Sequence, residues 1–227
     1  MPLTYTYDRN LQRYRRDDGK FVSAADIQDL TKYMIEKARV QTSSIANELI
    51  EGKIELSEWT RQTALQLKEI HSQQYLLGRG GLKNMTQRDY GILGARLKKE
   101  YKYLNNFATD IRDKQMSIAQ FQARLNLYLS STDASYQAAR REAHKSAGFT
   151  SERRRLGSLK NCPPCGSYAG MGWVAIGTLP AIATACDCKA NCKCFFEYSK
   201  DEPDGFLNRS FGWVKGGAKR QSSFSSW

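Results

Sequence analysis

Apolar residues recur at helical spacing from Ser23 onward, and the rhythm stops after Gly148. Ile27, Leu30, Met34, Ala38, Ile45 and Leu49 fall on one helical face, with Gly52 as a natural stop. Ser23 and Asp26 have capping-box spacing, with Asp in the place of the usual Glu. Ser57 is expected to cap a second helix carrying Trp59, Leu67, Ile70 and Leu77, broken by Gly78-Arg79-Gly80-Gly81. Thr86 and Asp89 repeat the capping signal ahead of Tyr90, Leu93, Leu97, Tyr101, Leu104, Ala108 and Ile111, the cleanest amphipathic stripe in the chain. Ser117 starts a fourth helix through Ile118, Phe121, Leu125 and Leu129, expected to run past Tyr136 to Ala147. The pattern predicts a mainly α protein, a long-helix bundle or set of hairpins over residues 23–148.

The flanks read differently. Residues 1–22 alternate aromatic and basic side chains before the turn signal Asp17-Asp18-Gly19, which predicts an extended arm or small hairpin. Its Tyr5, Tyr7 and Tyr14 are candidates for docking on a neighbouring subunit, a frayed terminus being the other reading. Residues 149–200 are rich in Cys, Gly and Pro, and residues 201–227 form a tail that cannot build a core. Trp213, Phe224 and Trp227 are costly to leave in water, so Phe224 and Trp227 also read as docking side chains. Packing on the chain's own body or disorder are the alternatives.

Charge adds a partner class. Lys and Arg number 35 against 23 Asp and Glu, for a formal net charge of +12. A balance this basic suits nucleic acid or an acidic protein surface. Arg153, Arg154 and Arg155 are the candidates for such a contact, although the same run reads equally as a solvated linker. No apolar run approaches the roughly 18 residues of a membrane span. The first residues also lack the apolar stretch of an export signal, so a reducing compartment is expected. G-x-S-x-G and H-E-x-x-H are absent, and no Cys–His pair has an evident orienting acid, so no enzyme is expected. Gly78-Arg79-Gly80-Gly81 lacks the Lys-Ser/Thr of a phosphate-binding loop and reads as an interhelical connection.

Cysteine usage carries the chemistry. All six cysteines lie between Cys162 and Cys194, as Cys162-Pro-Pro-Cys165, Cys186-Asp-Cys188 and Cys192-Lys-Cys194. A C-x-x-C pair can present two thiolates to one ion from a tight turn, and a later pair can close the tetrahedron. Disulfides, a redox C-x-x-C site and an iron–sulfur cluster compete with zinc. C-x-C pairs are awkward to bridge internally and no thioredoxin-like context is present, which favours structural zinc. The favoured ligands are Cys162, Cys165, Cys188 and Cys192, with Cys194 the first substitute and Cys186 the second. Trp173-Val174-Ala175-Ile176 and Phe195-Phe196-Glu197-Tyr198 are expected to pair as two strands, giving a zinc-stapled β-hairpin. His71 and His144 are expected to pack or face solvent, with His144 the nearer to the cysteines in sequence.

Three elements in order resemble the Mu-type minor head, or head morphogenesis, proteins of tailed bacteriophages. A helix ending Ala138-Ala139-Arg140-Arg141-Glu142-Ala143 precedes Cys162-Pro163-Pro164-Cys165. Leu179-Pro180 then leads to Asn191-Cys192-Lys193-Cys194 and a short apolar strand. The resemblance covers residues 136–198. Many members carry His-Pro where this chain has Lys189-Ala190, so Cys186 or Cys188 would replace that ligand. The resemblance implies a structural virion protein, made in the host cytoplasm and carried in the phage head. It would dock on portal or major capsid protein within a symmetric assembly, near packaged DNA, and aid head assembly or DNA delivery. A zinc-module nucleic-acid-binding protein is the alternative.

Overall fold

The computed structural model describes residues 5–8, 11, 13–114 and 116–201. It is mainly helical, with two small antiparallel sheets. Among the described residues no helix is long and apolar enough to cross a membrane.

The first sheet joins β1 (Thr6–Asp8), β2 (Arg13–Arg15) and β3 (Phe21–Val22), with Tyr7 opposite Tyr14 and Tyr14 opposite Val22. Helix α1 (Ala24–Ile50) follows directly, and Ser23 and Asp26 close the expected capping box. Helix α2 (Leu56–Arg79) begins at an Glu55 N-cap, which makes no side-chain cap bond, so Ser57 lies inside the first turn. Gly80 ends α2 in the left-handed region, at φ 81°, where a side chain would be strained. Thr86 and Asp89 box the start of α3 (Gln87–Asp113).

One continuous fourth helix does not form. Ser117 and Gln120 cap α4 (Ile118–Ser130), the chain turns at Ser131-Thr132, and α5 (Asp133–Ser146) sets off afresh. The Ser131 and Thr132 hydroxyls bond back to the carbonyls of Tyr128 and Leu129, offering the backbone a local alternative to helix continuation. Gly148, at φ 78°, releases the chain from the C-terminal end of α5.

Helix α2 is the hub, packing against α1, α3 and α5. Its fully buried Trp59 meets Phe107 edge-on at 5.4 Å between ring centroids, and Phe107 stacks on Tyr128 at 5.8 Å. Gly78 lets α5 approach closely, because a Cβ there would overlap the Tyr136 carbonyl oxygen and the Ala139 side chain. Next to it, Arg79 and Asp89 pair at 3.1 Å with each side chain 2% exposed, and Tyr75 donates to Asp89 at 3.0 Å. The glycine cluster at 78–81 is therefore a packed connection whose arginine faces inward.

The N-terminal sheet lies on this same end of α2. Tyr7 donates its backbone N–H to the Gly80 carbonyl at 3.0 Å, and the Tyr14 hydroxyl donates to the Leu77 carbonyl at 2.9 Å. Tyr14 is buried in its own chain, and Tyr5 and Tyr7 pack beside it against Leu77, Ile27 and Tyr136. The arm, whose tyrosines are candidates for docking on a neighbour, packs over the α2–α5 junction of its own chain. Phe224 and Trp227 lie outside the described residues.

The second sheet differs from the expected hairpin. Val174–Ala175 (β5) and Phe195–Ser199 (β6) do not pair with each other, because Ser151–Arg155 (β4) lies between them, antiparallel to both. A run that reads as a charged linker is the central strand. Pro163–Gly170 forms a short helix, α6, that opens on the C-P-P-C motif with proline in its first turn.

Candidate metal centre

The side chains of β4 alternate between two faces. Arg153 and Arg155 both reach Glu197 on the neighbouring strand, at 2.6 and 3.4 Å. Glu152 and Arg154 point the other way and are buried, at 0% and 1% exposure. Arg141 of α5 meets Glu152 with Nε 2.8 Å from Oε2, and its Nη2 donates to Oε1 at 3.1 Å and to the Leu179 carbonyl at 3.0 Å. Burial raises the Glu152 pKa, opposed by the Arg141 guanidinium and by the backbone N–H groups of Gly177 and Leu179. These contacts fasten the sheet to the last body helix.

Arg154 continues inward to the cysteines. Its guanidinium lies over Tyr168 at 4.8 Å and Phe196 at 5.4 Å, and Nη2 donates to the Pro180 carbonyl at 2.5 Å. Its Nη1 stands 3.9 Å from the Cys165 sulfur. Of the three candidates for a polyanion contact, Arg154 is buried, while Arg153 and Arg155 pair with Glu197 and remain partly exposed.

All six cysteines converge as free thiols. The Cys162-Pro-Pro-Cys165 motif caps and enters α6, so that Cys165 is fully buried. Cys188 and Cys192 bracket a single 3-10 turn at Lys189–Asn191, and Cys194 leads straight into β6. Leu179, Ile182 and Phe196 pack around the sulfurs, with Cys162 and Cys188 left partly exposed.

The sulfurs of Cys162, Cys165, Cys186 and Cys188 all lie within 4.8 Å of one another, as do those of Cys165, Cys192 and Cys194. Cysteine sulfurs at these spacings could hold a metal ion. The favoured ligand set changes on this geometry. Cys186, expected as the second substitute, stands with the first group in the place assigned to Cys192, and Cys192 pairs with Cys194 across the cluster. Three C-x-C or C-x-x-C pairs admit many four-ligand subsets, and only the folded path of the chain separates them.

Ionisation is uneven across the cluster. Burial opposes ionisation of Cys162, but backbone N–H groups of Cys165 and Cys188 and their thiols outweigh it and bring this thiol to about 6. Burial, then the crowding of neighbouring thiols, pushes Cys165 far up. Cys192 is lowered by the Cys194 backbone N–H and the surrounding thiols, against the opposing effect of burial. Thiols this close cannot all ionise without a cation among them.

Neither histidine joins the sulfurs. His144 bonds to the Arg140 carbonyl at 2.7 Å through Nδ1 and stacks on Tyr198 at 4.0 Å. His71 lies inside the body, with Nδ1 2.7 Å from the Ser135 hydroxyl. Sequence reasoning missed Arg141, Glu152 and the second role of Arg154. The one available signal was the isolated acid in Ser151-Glu152-Arg153-Arg154-Arg155, which gains meaning only beside α5.

No protein-family description, curated protein or solved structure matches the chain.

Proposed function

We propose that the chain is a structural minor head protein of a tailed bacteriophage, in which the cysteine cluster holds zinc as a structural ion. It docks on portal or major capsid protein as one part of a symmetric assembly and aids head assembly or DNA delivery. The observation that carries the metal reading is the gathering of the Cys162, Cys165, Cys186 and Cys188 sulfurs within 4.8 Å of one another. Four thiolates favour zinc and leave no position open for water, which suits a staple and not a hydrolytic centre.

The head reading is supported by the order of a basic helix, a C-P-x-C motif and a terminal N-C-K-C element. The contacts of Arg141 with Glu152, and of Arg154 near Cys165, give that order a physical use. They tie helix, strand and cluster into one block. Exposed apolar side chains such as Tyr33 and Val40 on α1 offer surface to a partner. The alternative, a zinc module that binds nucleic acid through Arg153–Arg155, is disfavoured by the burial of Arg154 and the pairing of the other two with Glu197.

Metal analysis and thiol counting on the reduced protein, followed by pull-down against portal and major capsid protein, test the reading. Bound zinc together with capture by either protein is the expected result. Metal-free protein cross-linked through sulfur would end the metal reading. Failure to bind either head protein, with strongly salt-dependent DNA binding, would favour the alternative.

A further inference from the structure

We infer that the six cysteines form one centre for two zinc ions, with the sulfurs of Cys165 and Cys186 bridging them. The inference rests on the structural-metal reading above and deepens it.

The two sulfur groups share a member. Cys165 belongs both to the set with Cys162, Cys186 and Cys188 and to the set with Cys192 and Cys194. A tetrahedral thiolate site with Zn–S distances of about 2.3 Å places its sulfurs about 3.8 Å apart. Cys165 and Cys192 already stand at 3.7 Å. The second group is one ligand short of a tetrahedron, and Cys186 is placed to supply it, because it lies within 4.8 Å of Cys165 and is buried like Cys192 and Cys194, whereas Cys162 and Cys188 are partly exposed. Cys165 and Cys186 then form an edge common to two tetrahedra. Cys162 and Cys188 complete one, Cys192 and Cys194 the other.

Burial and charge agree with this division. The bridging pair is buried at 0% and 7%, while Cys162 and Cys188 face the rim. Cys192 and Cys194 are themselves buried, at 7% and 2%, where a single ion would leave them as spare thiols against an occupied site. Six thiolates and two dications leave two negative charges, and the buried Arg154 guanidinium, 3.9 Å from the Cys165 sulfur, opposes them from inside the fold.

Native mass spectrometry of the full chain, purified reduced with zinc and freed of excess metal, reads the stoichiometry. Two zinc ions per chain are expected, falling to one in Cys194→Ser. The cadmium-113 form should give two resonances split by mutual coupling through the shared sulfurs. One ion per wild-type chain would overturn the two-metal centre and leave the single structural site standing. No ion would overturn both. Two ions whose cadmium resonances show no coupling would overturn the bridging arrangement. The wild-type stoichiometry and coupling decide the matter even if Cys194→Ser fails to fold.

Discussion

Arg141 and Glu152 meet across the boundary between the helical body and the cysteine module, one on the last long helix and the other fully buried on the central strand. The carboxylate also accepts the Leu179 backbone N–H at 3.1 Å. One acid thereby holds the helix, the strand and the loop leading toward the second cysteine pair.

Removing one member of a buried pair leaves the other without its counter-charge. Glu152→Ala is expected to cost about 3 kcal/mol in urea unfolding of the metal-loaded protein. Arg141→Met is expected to cost a similar amount, because it strands the fully buried Glu152 carboxylate, which keeps only its backbone donors. A double-mutant cycle should return a coupling of at least about 1 kcal/mol. Additive losses would show that the pair is incidental.

Gly78 is a packing position. An added Cβ meets α5 backbone, which cannot rotate away as a flexible side chain could. Gly78→Ala should destabilise the body by about 1–3 kcal/mol despite the better helix propensity of alanine. A raised melting temperature in this variant would contradict the contact.

Acid should weaken the body through His71. Burial, with Arg96 adding to it, lowers this imidazole to about 3, against an ordinary value of 6.5. Below 6.5 the unfolded chain takes up a proton that the folded one refuses. Stability from this group is therefore full above 6.5 and declines as pH falls toward 3, by about 1.4 kcal/mol per pH unit. The imidazole C2–H resonance of His71 should stay unshifted between pH 8 and pH 5 in the folded protein. A midpoint near 6.5 would show that the ring is hydrated and free to charge.

Chelation should separate the two halves of the chain. Stripping metal from the reduced protein is expected to expose β4 and β6 amides to fast hydrogen exchange, while α1 to α3 keep their protection. Uniform exchange before and after chelation would show that the sheet stands without the ion.

Three helix starts were legible because their chemistry is local, whereas the cap expected at Ser57 lies inside α2. Ser23 with Asp26, Thr86 with Asp89, and Ser117 ahead of its helix each announce a terminus within four residues. The break between α4 and α5 was not, since Ser131 and Thr132 interrupt a sequence whose apolar spacing continues on both sides. Nor was β4, whose charges describe a solvated segment until Glu197, Arg141 and the rings of Tyr168 and Phe196 arrive from far along the chain. The confinement of the cysteines pointed to a shared site. Which sulfurs neighbour which depended on the turn at Lys189–Asn191 and on the entry of Cys165 into α6.

The strand order β5-β4-β6 also sets a timetable for synthesis. Arg153 finds Glu197 only 44 positions later, a delay on the order of seconds at ribosomal speeds. Until then Glu152 and Arg154 have no complete enclosure, and the early C-P-P-C pair can hold an ion only provisionally. The segment that closes the sheet follows Cys194 directly, so the last thiol and the closing strand emerge together. A chain interrupted before Phe195 would carry all six cysteines yet lack the strand that pairs with β4 along Ser151–Arg155, which makes closure of this sheet a late step.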